Sequence, residues 1–101
     1  MSRYDGKPFL RLLDCYVLKS IGELDARQEN SLKAMEPKLA SVYGHEGSWF
    51  DIVANQMDFP SSLPDQIKAI WDAGKAKAAQ QGVVVNPQEF TLQFVDTNFP
   101  T

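Results

Sequence analysis

One cysteine and one histidine are all the thiol and imidazole chemistry in these 101 residues. A lone Cys15 cannot close an internal disulfide or supply a cysteine-rich zinc site. Together, Cys15, His45 and scattered carboxylates offer no His-x-x-x-His, Cys-x-x-Cys or EF-hand spacing, so no metal is expected. The six glycines form no phosphate-binding loop. Gly44-His45-Glu46-Gly47 is too short to cradle a phosphate and carries an acid, so neither a nucleotide nor any other cofactor is expected. Long apolar runs are missing too. Tyr16-Val17-Leu18 and Val83-Val84-Val85 fall far below the ~18 residues that span a bilayer. No apolar stretch follows Arg3 and Lys7, because Arg11, Asp14 and Lys19 interrupt it, so no secretory signal is read and the cytoplasm is the expected location. Nor is there an excess of positive charge. Ten Lys and Arg against 13 Asp and Glu leave −3, the wrong sign for a surface that neutralises phosphates, so no nucleic-acid partner is expected.

What remains is an ordinary globular composition, 44% hydrophobic and 23% charged, of a length that suits one domain spanning 1–101. Residues 1–7 are polar, contain the turn dipeptide Asp5-Gly6, and read as flexible. Pro8 suits a first helical turn, and Leu10, Leu13, Val17 and Ile21 then recur at helical spacing, predicting a helix over 8–21 that stops near Gly22. Asp25 and Gln28 approximate a capping box ahead of Leu32, Met35, Leu39 and Val42. Pro37 falls inside that stripe, so the helix over 26–43 is either kinked or split there. Ser48 and Asp51 open a short helix over 49–57, ended by Asp58-Phe59-Pro60. A serine, an early proline and Asp65 open the next, 63–81, where Gly74 would let another element approach closely. Asn86-Pro87-Gln88-Glu89 starts the last, 87–97, which Asn98-Phe99-Pro100 ends. The three valines at 83–85 find no partner strand and read as an extended connector. The fold class is therefore all-α, a compact irregular bundle of about five helices around Trp49, Trp71 and the phenylalanines.

Reactive constellations are few. Cys15 sits mid-helix among core residues, where it reads as a small buried hydrophobe. Asp51, Asp58, Asp65 and Asp72 fall seven apart, but Pro60 and Pro64 prevent one helix from aligning them. The charge distribution is more informative. Between Lys38 and Lys68 there are four acids (Glu46, Asp51, Asp58, Asp65) and no Lys or Arg. The same window holds Tyr43, Trp49, Phe50, Met57 and Phe59, and the adjacent Trp49 and Phe50 cannot point the same way from one helix. This predicts a non-catalytic interaction module, a small regulator, adaptor or inhibitor. It would bind another, basic protein through an acidic, aromatic-bearing surface of Tyr43, His45, Glu46, Trp49, Phe50, Asp58 and Phe59. Two alternatives stand beside it: a homo-oligomeric structural protein, such as a homodimer, joined by leftover apolar stripes of the helices over 8–21 and 63–81, and a small enzyme using Cys15 or carboxylates.

Overall fold

Proline at the first helical position fixes where the first helix begins. In the computed structural model, which describes residues 3–99, α1 runs Pro8–Ser20 with Pro8 in its first turn. It buries Leu10, Leu12, Leu13, Cys15, Tyr16, Val17 and Leu18 on several faces, so it is a central helix and not an amphipathic one at the surface. Its end is a Schellman turn: Gly22 takes φ 75°, its N–H donates to Lys19 O, and that of Glu23 donates to Leu18 O at 2.9 Å.

Pro37 splits the second segment. Helix α2 (Ala26–Ala34) ends and α3 (Glu36–Tyr43) begins at Met35, so the described residues form six helices where about five were expected. The physical reason is local, since Pro37 has no N–H to continue the ladder and sits instead in the first turn of α3, where none is needed. The capping box at Asp25 does not form. Gln28 turns inward and donates to Cys15 Sγ at 3.2 Å, leaving Asp25 without a side-chain capping bond. Only Leu32 and Leu39 are buried from α2 and α3.

Helix α4 (Trp49–Met57) starts as the serine signal predicts, Ser48 Oγ accepting from Asp51 N at 3.1 Å. Glu36 of α3 adds a second cap by accepting from Trp49 N at 2.7 Å, which ties α3 to α4. Helix α5 (Leu63–Gln80) buries Ile67 and Trp71, then runs outward. From Asp72 to Gln80 every residue is exposed except the half-buried Ala78, and a Cβ on Gly74 would meet nothing within 4 Å. The close approach expected at Gly74 therefore does not occur among the described residues. Val83 and Val84 are exposed beyond α5, and Val85 alone packs inward. Helix α6 (Pro87–Asn98) is capped by Asn86 Oδ1, which accepts from Gln88 N and Glu89 N. Phe99 folds back onto Phe59 and Phe94, whereas Pro100 of the expected stop signal lies outside the described residues. Helix α1 packs against α4, α5 and α6, and one core joins Leu13, Val17, Trp49, Ile52, Ile67, Trp71 and Val95. Among the described residues there is no strand, and no helix is long and apolar enough to cross a membrane.

Candidate functional site

Of the aromatic residues in the 43–65 window, Trp49 is buried and Tyr43, Phe50 and Phe59 are half-buried. Trp49 is 1% exposed and presents no face to a partner, which corrects its expected role as a surface anchor. Its neighbour Phe50 does not take that role either. Phe50 stacks on Tyr16 of α1, ring centroids 4.1 Å apart, and meets Trp49 edge-on at 5.6 Å. Phe59 lies between Tyr16 and Phe99, at 5.1 and 5.0 Å. Both neighbours can be inside because α4 is enclosed on two sides, by the core at Trp49 and by Tyr16 at Phe50.

The remaining expected residues fall on different surfaces. Asp58 is exposed and takes φ 55° at the end of α4, where the Phe59 N–H donates to Ala54 O. A structural role at that turn therefore explains Asp58. His45 is half-buried in the loop after α3. Glu46 borders an open hollow of about 460 Å³ with Lys33, Glu36, Pro37, Ala40 and Gly47. Tyr43 lies on the other flank of α3, edge-on to Phe9 at 5.4 Å.

On that flank α1, α2 and α3 leave a groove. Pro8, Arg11, Leu12, Leu32, Met35, Leu39 and Tyr43 line a volume of about 270 Å³ that is walled mostly by carbon. Met35 is 43% exposed, and Val42, next to Tyr43 on α3, is 63% exposed. Arg11 is the one charged side chain in the lining, its guanidinium carbon 4.7 Å from the centre of the Tyr4 ring. The apolar stripe of 32–42 assigns Leu32, Met35, Leu39 and Val42 to the core, and Arg11 is read only as a charge that interrupts the stretch after Lys7. The signal that could have found the groove is Pro37. Breaking the helix at Met35 redirects its second half and leaves Met35 and Val42 with too little to pack against.

Reactive groups are held differently. Burial pushes the Cys15 thiol up to about 11, and Asp14 pushes the same way, so sulfur is a thiol and not a thiolate at neutral pH. Among the described residues no three His, Cys, Asp or Glu side chains converge as metal ligands would. Comparison with family models, curated proteins and solved structures returns no match to this chain.

Proposed function

We propose that this chain is a non-catalytic protein-interaction module, and that it receives an apolar, acid-bearing segment of another protein in the groove between α1, α2 and α3. The observation that carries this reading is the groove itself, with Met35 exposed in its lining. Interface cores are built from apolar side chains seated in pockets, with charge at the rim setting approach. Arg11 sits where an acidic residue beside the incoming apolar side chain would meet it. The polarity of the partner is therefore the reverse of the one the 43–65 window suggests, because Trp49 is buried, Phe50 and Phe59 pack on Tyr16, and Tyr43 alone of those anchors lines the groove, beside Arg11. The same reading sets the protein in the cytoplasm, where Cys15 stays reduced.

The test is selection of binders from a displayed library of amphipathic peptides, followed by amide shift mapping. Binding is expected to move Leu12, Leu32, Leu39 and Tyr43, and Met35→Asp is expected to weaken it about tenfold or more, about the weight of one anchor. Ile70→Asp, on exposed α5, serves as the control. Shifts confined to other surfaces, or a Met35→Asp variant that binds unchanged, would contradict the groove.

A second reading keeps one specific observation in its favour. Ile70 is half-exposed and the outer half of α5 buries almost nothing, as a helix awaiting a second copy would. The stripe of α1 is internal and drops out of that alternative. Light scattering over a concentration range decides it, since a strict monomer removes self-association.

A further inference from the structure

Asp14 is a carboxylate in the middle of α1, 4% exposed, and a charge so enclosed needs partners. It finds them in the turn ahead of the helix. Arg3 donates to it with two nitrogens, Nε to Oδ2 at 3.0 Å and Nη2 to Oδ1 at 2.9 Å, and the Tyr4 hydroxyl donates to Oδ2 at 2.7 Å. The third guanidinium nitrogen, Nη1, donates to Asp96 Oδ1 of α6 at 2.7 Å. Two helices thus hold out two carboxylates at the spacing that a planar guanidinium fork requires, and a lysine would not satisfy the paired geometry.

Beside this pair a cavity of about 170 Å³ opens between α1 and α6, lined by Tyr4, Asp14, Leu18, Gln88, Thr91 and Leu92. Thr91 is 1% exposed, and its hydroxyl has no hydrogen-bond partner among the described residues. A buried hydroxyl left unpaired is unfavourable, so a group that met it would be favoured by that pairing. Both acceptors and the cavity lining other than Tyr4 are on helices, whereas Arg3 and Tyr4 belong to a turn closed by Lys7 N donating to Tyr4 O at 2.9 Å.

We propose that the cleft between α1 and α6 is a guanidinium-recognition site for an arginine-bearing segment of a partner protein, and that Arg3 with Tyr4 fills it as the chain's own competing ligand. The chain's own Tyr4 bonds Asp14 and leaves Thr91 unpaired, so a partner with a hydrogen-bonding side chain that reached the Thr91 hydroxyl would gain a contact this internal ligand does not make. The competitor is tethered, so it acts at an effective concentration on the order of millimolar and lowers the apparent affinity of any incoming arginine. This inference deepens the reading of the chain as a protein-binding module and rests on it, but it concerns a different cleft from the apolar groove.

The probe is the labelled peptide acetyl-Ser-Arg-Tyr-Asp-Gly-amide, with a second version carrying citrulline, which keeps the shape of arginine without its charge. Anisotropy is read on the full chain, on Arg3→Ala and on Tyr4→Phe. The Tyr4→Phe variant loosens the competitor while leaving Asp14 paired with Arg3, so it reports even if Arg3→Ala fails to fold. The arginine peptide is expected to bind Arg3→Ala about tenfold or more tightly than the unmodified chain, with Tyr4→Phe between them. The citrulline peptide is expected to lose that gain, and adding Asp96→Asn to Arg3→Ala is expected to weaken arginine binding several-fold. Equal binding of the two peptides, or no gain in either variant, would overturn the site. Adding Met35→Asp to either variant is expected to leave the result unchanged, so failure here and failure of the apolar groove are separable.

Discussion

At the scale of single residues the decisive group is Asp14. Its ion pair with Arg3 joins the start of the chain to α1, and through Asp96 to α6. Removing one partner of an enclosed pair leaves a charge without compensation, so Arg3→Ala is predicted to cost about 2–3 kcal/mol in urea unfolding. Arg3→Lys should recover little of this, because an ammonium cannot make the two parallel bonds to Asp14. A loss below about 0.5 kcal/mol, the size of an exposed pair, would show that the contact is superficial. Alkaline pH tests the same neighbourhood. Burial first, and the bond to Asp14 next, push Tyr4 from 10.0 to about 12, while burial pushes Cys15 from 9.0 to about 11. Both folded values lie above the unfolded ones, so folding favours the protonated forms. Their contribution is full below pH 9 and is lost as pH climbs through 11 and 12. Urea midpoints should fall across that interval, and a midpoint still flat at pH 12 would contradict the burial of both groups. None of this network was legible in the sequence. In the sequence Asp14 only interrupts an apolar stretch and Arg3 falls in a polar lead read as flexible, because the partners of Arg3 lie 11 and 93 positions away from it. Cys15, by contrast, was legible as a buried side chain, since its helical neighbours are apolar on both sides.

The elements were most legible where a side chain or a proline supplies the end. Ser48, Asn86, Pro8 and Pro87 mark starts that the structure keeps, because each signal is satisfied within three residues of itself. Pro37 marked a break but not its consequence, since which way α3 departs from Met35 depends on Glu36 reaching the N-terminus of α4. Two substitutions follow from the helix geometry. Gly74 sits inside α5 with open space where a Cβ would go, so Gly74→Ala should raise stability by about 1 kcal/mol. Asp58 adopts a left-handed conformation that glycine reaches without strain, so Asp58→Gly should raise it by about 0.5–1 kcal/mol. Thermal or urea unfolding checks both. A destabilised Gly74→Ala would mean that the outer half of α5 is packed against something, and that would favour the second-copy reading.

For the molecule as a whole, α1 is the axis on which α4, α5 and α6 are assembled, and the aromatic residues form a connected interior from Phe50 through Tyr16, Phe59, Phe99, Phe94 and Phe90 to Trp71. The helical class and the two tryptophans at its centre could be read from spacing alone, because periodicity reports which residues seek burial. Which surface stays open could not, because it depends on how far each helix is covered by its neighbours. The 43–65 window shows the difference. Its acids are exposed as expected, yet Trp49 is buried and Phe50 and Phe59 are taken up by contacts with Tyr16 and Phe99, while Met35 and Val42, which periodicity assigns to the core, remain outside. Whether protein partners meet the groove between α1, α2 and α3 is decided by placing a photoreactive side chain at Tyr43, in its lining, or at Asp58, outside it, in the full chain and irradiating each in lysate of the producing cells. One defined adduct is expected from Tyr43, lost with Met35→Asp, and none from Asp58. A defined adduct from Asp58 with none from Tyr43 would refute the groove.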